Sequence, residues 1–179
     1  MNFNPFPVLH TKRLTLRAIQ TSDAFDLFEM RHDEHMHEYT DTIPDPSIED
    51  TLKYIDKMTV GVANNLWIIW AIELLESKKV IGSICIWNIE ADNLSAELGC
   101  GIMPSYQGLG YMKEALVCVV EYGFHELGLK TLEAYTEKAN IPSIKLLNSS
   151  GFIATKVVID SGFLKNRDFE MIVYQKHNK

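Results

Sequence analysis

The feature that most constrains this chain is one continuous unit, an alternating strand, a glycine turn and a long amphipathic helix, across residues 94–127. Positions 112, 115, 116, 119, 120, 123, 124 and 127 are Met, Ala, Leu, Val, Val, Gly, Phe and Leu. That is the apolar stripe of a helix with one buried face, and Gly128 follows as a stop. Upstream, Leu94, Ala96, Leu98, Cys100 and Ile102 alternate with Ser95, Glu97, Gly99, Gly101 and Met103, the period of a strand. A strand followed at once by a core-facing helix demands a sheet for the helix to cover.

The rest of the chain supplies that sheet. Strands are expected at Arg13–Ile19, Trp67–Leu74, Lys79–Ile89, Leu94–Met103, Leu132–Thr136, Phe152–Ile159 and Arg167–Gln175. Helices are expected after Asp23, after Ser47 (with Asp50 at the capping-box position), after Gly110, and from Asn140 to Gly151 with Pro142 in the first turn. The reading is an α/β (α+β) fold, with antiparallel hairpins and one crossover. No linker or repeat divides it, so one domain over residues 1–179 is expected.

The face carrying Glu97 is bare except for that carboxylate, and Gly99 and Gly101 leave room for a ligand to approach. Gln107-Gly108-Leu109-Gly110 then opens the long helix. Backbone N–H groups in such a turn form an anion-binding concavity without needing a basic patch. The turn is not a P-loop, because no Lys-Ser/Thr pair follows, and Lys113 stands where a dinucleotide fingerprint needs its third glycine.

These segments resemble the GNAT acetyltransferase superfamily, and within it the branch that acetylates ribosomal-protein N-termini. The resemblance rests on Ala96-Glu97-Leu98-Gly99, on Gln107-Gly108-Leu109-Gly110-Tyr111, on Asn140-Ile141-Pro142-Ser143, and on Ser150-Gly151-Phe152. It extends from Leu9-His10-Thr11-Lys12-Arg13-Leu14 to Arg167-Asp168. It implies a mixed, mostly antiparallel sheet of about seven strands flanked by about four helices. It also implies acetyl-CoA as donor and an amine as acceptor.

On that resemblance, Gln107, Gly108, Leu109, Gly110, Tyr111 and Met112 hold the pyrophosphate through main-chain N–H groups. Gly101, Ile102 and Met103 offer a strand edge to the pantetheine, and Asn140 contacts the pantetheine or solvent bound to it. Lys113 either reaches a phosphate or lies on a solvated helix surface. Met112 departs from the usual Gly or Ala, so its side chain has to pack away from the phosphates. Glu97 is the candidate base. The tyrosine that many relatives use to protonate the thiolate is replaced by Leu147, which leaves Ser143 as the candidate at that step. A small-amine acetyltransferase, with polyamines or amino-sugars as acceptors, and a non-catalytic acyl-CoA-binding module are the alternatives.

Charge narrows the partners. The chain has 17 basic and 24 acidic residues, net −7, which disfavours nucleic acid. Residues 23–56 alone hold eleven acidic against two basic residues. Asp33, Glu34, Glu38 and Asp41 in that segment are expected to steer a cationic amine. His32, His35 and His37 there read as a polar, solvated loop and not as a metal site. Cys85, Cys100 and Cys118 read as buried free thiols, and no stretch suits a membrane span or signal peptide, so a cytoplasmic location is expected. The sequence leaves monomer and homodimer open.

Overall fold

The computed structural model describes residues 1–90 and 94–178. Its strands are β1 (Leu9–His10), β2 (Leu14–Ala18), β3 (Ile68–Leu74), β4 (Val80–Glu90), β5 (Ser95–Ile102), β6 (Thr131–Glu137), β7 (Ile153–Ser161) and β8 (Asp168–His177). Its α-helices are α1 (Ala24–His32), α2 (Ile48–Ala63), α3 (Tyr111–His125) and α4 (Ile141–Ser149). One sheet runs in the order β1-β2-β3-β4-β5-β6-β8-β7. Every pairing is antiparallel except β5 with β6. The eighth strand, β1, is two residues pairing Leu9 with Leu16, too short to leave a periodic signal.

Two cores fill the faces of the sheet. Met112, Ala115, Leu116, Val119, Val120 and Phe124 of α3 pack with Leu147 of α4 on Ala96, Leu98, Ile102 and Leu132. On the other face, Leu27 and Met30 of α1 and Ile55 of α2 pack on Ile69, Ala71 and Val80. The central β3 contributes to both, and its residues from Ile68 to Glu73 are all buried. Met112 therefore points inward, as the departure from Gly or Ala required. Leu116, fully enclosed, would cost about 2–5 kcal/mol if cut to Ala.

Capping follows the sequence with one change of role. Asn140 caps α4 by accepting from Ser143 N at 3.1 Å. Ser47 precedes α2 as expected, but its hydroxyl donates to Asp50 Oδ2 at 2.9 Å instead of accepting from the backbone.

Candidate active site

The two parallel strands part company. β5 and β6 pair only from Ser95 opposite Thr131 to Leu98 opposite Ala134. β5 continues to Ile102 along β4, while β6 continues to Glu137 along β8. A wedge therefore opens between Gly99–Ile102 and Tyr135–Glu137, with main-chain edges unpaired across it. Cys100 is exposed there, although Ala96, Leu98 and Ile102 of the same stripe are buried. The expected burial of the three cysteines holds only in part: Cys85 and Cys118 are half-buried and Cys100 is exposed as a residue, yet burial still pushes the Cys85 thiol up to about 12 and the Cys100 thiol up to about 11.

At the wide end of the wedge stands the glycine turn. Gly108 and Gly110 have φ of +74° and +82°, left-handed conformations that cost other residues about 1–2 kcal/mol. The first intrahelical bond of α3 runs from Glu114 N to Gly110 O at 3.1 Å. The amides of the first turn ahead of it have no intrahelical acceptor.

Gln107 behaves differently from its neighbours. Its amide donates to Pro104 O at 3.1 Å and its side chain donates to Ile102 O at 3.2 Å, so it braces the turn. Met103 is likewise spent, donating its N–H to Ile81 O and accepting from Tyr106 N, both at 2.9 Å. Lys113 is exposed on a shallow groove shared with His10 and Thr11.

A second brace escaped the sequence reading. Arg13 donates through Nη1 to Leu109 O at 3.0 Å and stacks over Tyr111 at 4.2 Å. Glu114 fixes Arg13 by accepting from its Nε at 2.7 Å and its N at 2.8 Å, and also accepts from Thr11 Oγ1. Burial opposes ionisation of Glu114, but the bonds from Thr11 and Arg13 outweigh it and hold the carboxyl below its ordinary range. A separation of 101 residues between Arg13 and Glu114 leaves no local signal.

Glu97 lies on the opposite face, at the closed end of the wedge. It stands across from Trp87 on β4 and Glu133 on β6. An irregularity in β4 between Trp87 and Glu90 puts Asn88 at φ +47°, and its side chain donates to Glu97 Oε1 at 2.7 Å. Asn88, Glu90, Ser95, Glu97, Glu133 and Tyr135 line a polar pocket of about 180 Å³. Tyr135 donates to Glu133 Oε2 at 3.1 Å, and Gln175 donates to Glu133 Oε1 at 2.5 Å. Burial first, then the bond to Glu133 and the charges of Glu133, Glu97 and Glu90, push the Tyr135 phenol up to about 12. The space above the two strand glycines is taken by protein. A Cβ on Gly99 would stand 3.0 Å from Cys85 Sγ, and one on Gly101 3.1 Å from Met36 Cε.

The sequence of the acetyltransferase (GNAT) domain family matches residues 13–153. This chain belongs to the GNAT acetyltransferase family. The GNAT domain is 32% identical over 170 residues to the uncharacterised N-acetyltransferase p20 of Bacillus licheniformis, covering 93% of each chain. Its fold is similar to that of the ribosomal-protein-S5-alanine acetyltransferase of Vibrio fischeri (TM-score 0.82, 20% identity, 97% of each chain). It is also similar to spermidine N-acetyltransferase of Vibrio cholerae in complex with CoA and spermine (TM-score 0.80, 20% identity, 93% of this chain and 96% of that one).

Within this GNAT domain the remaining expected residues divide by face. Asn140 and the half-buried Ser143 open α4, on the α3 side of the sheet, across from Glu97. Asn140 spends its oxygen on the cap, and its side-chain NH2 has no protein partner among the described residues. Leu147 is buried in the core. Thr136, on the splayed part of β6, is 3% exposed and its hydroxyl has no partner among the described residues.

The acidic segment is mostly spent internally. Asp23 is buried against Arg17 at 2.8 Å, Asp45 against Arg31 at 2.7 Å, and Asp26 accepts from Val80 N at 2.9 Å. Asp41, one of the four residues expected to steer substrate, accepts from the amides of Phe163, Leu164 and Lys165. The first cause that holds its carboxyl low is the bond from Leu164. In the histidine loop His32 and His35 are exposed as expected, and the correction falls on His37 alone. His37 is buried, with Nδ1 at 2.7 Å from Thr42 Oγ1 and Nε2 at 2.7 Å from Arg31 O. Among the described residues no cluster suits a metal, and no helix is long and apolar enough to cross a membrane.

Proposed function

We propose that this chain transfers the acetyl group of acetyl-CoA to a primary amine. The observation that carries the reading is the wedge between β5 and β6, ending at a glycine turn whose amides after Gln107, from Gly108 to Lys113, have no acceptor among the described residues. An extended pantetheine can complete the missing ladder along Gly99–Ile102, and a pyrophosphate suits the first-turn amides from Gly108 to Lys113. Asn140 has an NH2 group left over for a pantetheine carbonyl.

Chemistry then needs a neutral amine and a protonated leaving group. An acceptor that arrives as an ammonium first gives one proton to Glu97 and attacks as the neutral amine; its second proton leaves to solvent as the N–C bond forms. As the C–S bond breaks, the CoA thiolate takes a proton from the α4 side, where Ser143 is the candidate donor and Leu147 offers none. Ser143 regains from solvent the proton it donates. The carboxylates of Glu90, Glu97 and Glu133 around one small pocket favour an acceptor that arrives as a cation. A polyamine and a protein N-terminal α-amino group both meet that requirement. The expected setting is the cytoplasm.

The test measures CoA thiol release with a panel of polyamines, amino-sugars and peptides beginning in Ser or Ala. Release with at least one amine is expected. Acetyl-CoA that raises Tm without any thiol release would leave a non-catalytic acyl-CoA-binding module. No rise in Tm would overturn the CoA reading itself.

A further inference from the structure

Among the described residues, two buried side-chain oxygens have no hydrogen-bond partner, Oγ1 of Thr136 and Oγ of Ser150. Ser150 is the C-cap of α4, at the end of that helix remote from Asn140. Thr136 stands in the wedge. Along β6 the buried residues are Leu132, Ala134 and Thr136, while Tyr135 between the last two is exposed. Leu132 and Ala134 pack in the core under α3, so the side chain of Thr136 turns to that same face. Its backbone is fixed by β8, where it stands opposite Ile172. A buried hydroxyl normally recovers its lost hydration through a partner, and a valine of the same shape would need none.

The register of the two parallel strands says what the hydroxyl faces. Ala96 stands opposite Leu132 and Leu98 opposite Ala134, where the pairing ends. Two residues further, the same register sets Thr136 across from Cys100, over the first open step of the wedge. Cys100 shares its face with Ala96 and Leu98, which pack in the same core. With a pyrophosphate at Gly108–Lys113 and a pantetheine running back from Ile102 to Gly99, the sulfur arrives at this closed end, between Cys100 and Thr136. Burial pushes the Cys100 thiol up to about 11, so a neutral group flanks the sulfur on the β5 side. The Thr136 hydroxyl has no protein bond to break when it turns toward the sulfur.

We propose that the Thr136 hydroxyl donates a hydrogen bond to the sulfur of CoA and stabilises the thiolate as it forms. The proposal rests on the acetyl-CoA reading and extends it to the leaving group. As the C–S bond breaks, its electron pair goes to sulfur, and a donor already in place in a buried site stabilises that charge where it develops. Thr136 keeps its own proton, and the proton that reaches the sulfur is the one assigned to Ser143.

The test is a calorimetric titration in alkaline buffer, where the CoA thiol is partly ionised. The ligands are CoA and desulfo-CoA, which lacks the sulfur, and the proteins are the wild type, Thr136→Val and Thr136→Ser. Thr136→Val should bind desulfo-CoA as the wild type does and bind CoA about tenfold more weakly. Thr136→Ser keeps the hydroxyl and should restore the affinity for CoA. Equal losses for both ligands, no loss for either, or a serine variant that behaves as the valine does would overturn the role of Thr136 while the CoA reading stands. A wild type that binds neither ligand would overturn both.

Discussion

The two sides of the β5–β6 wedge are built from different materials. On the α3 side the candidate phosphate donors are main-chain amides, set by two left-handed glycines and braced by Arg13 and Gln107, with Asn140 and Ser143 of α4 as the side chains beside them. On the other side the candidate chemistry is all side chain, with Asn88, Glu97, Glu133 and Tyr135 drawn from three strands. A main-chain site depends on local conformation and is tolerant of which side chains surround it. A side-chain site depends on register between distant segments, and one exchange changes what it recognises.

The largest expected effect separates the two sides by chemistry. Glu97→Gln should lower kcat by about 10²-fold or more and leave acetyl-CoA affinity unchanged in a calorimetric titration. Loss of affinity instead would make Glu97 part of the donor site. Gly110→Val should do the reverse, because a β-branched residue resists φ of +82°. Acetyl-CoA affinity should fall by about ten- to a hundredfold as one or two amide bonds to the phosphates are lost. An unchanged affinity would mean that the turn holds no anion.

A smaller change tests the brace. Arg13→Leu frees the Leu109 carbonyl and should weaken acetyl-CoA by about tenfold, with the KM for the amine unchanged. Glu114 adds a pH signature. Its folded pKa lies below the ordinary 4.5, so its contribution to stability is fully present above the unfolded value. That contribution is lost as pH falls through the folded value. Glu114→Gln should remove this part of the acid limb in urea unfolding followed across pH. The smallest effect is Thr136→Val, which replaces an unpartnered buried hydroxyl with an isosteric methyl. It should raise Tm of the free protein by about 2–4 °C; a fall would show that the hydroxyl has a partner.

The same contrast decides what could be read in advance. The α3 stripe, the glycine turn and the Asn140 cap are legible because every residue involved lies within a few positions of the next. The neighbourhood of Glu97 is not, because Glu133 reaches it only through a parallel pairing after a crossover helix. Asn88 reaches it only through an irregularity in β4. Arg13 meets Glu114 across the whole first half of the chain. Cys100 sits in an apolar alternation that predicts burial, and the departure of β6 exposes it. His37 sits in a polar run that predicts solvation, yet Thr42 and the Arg31 carbonyl satisfy both ring nitrogens and let it be buried.

The central claim is that acetyl-CoA lies in the wedge and is held by main chain from β5 and the start of α3. Amide hydrogen exchange with and without acetyl-CoA tests it most directly. Slowed exchange within Gly99–Ile102 and Gly108–Lys113, with the β7 amides unaffected, is the predicted result. Saturating acetyl-CoA that raises Tm yet leaves exchange in both segments unchanged would contradict it.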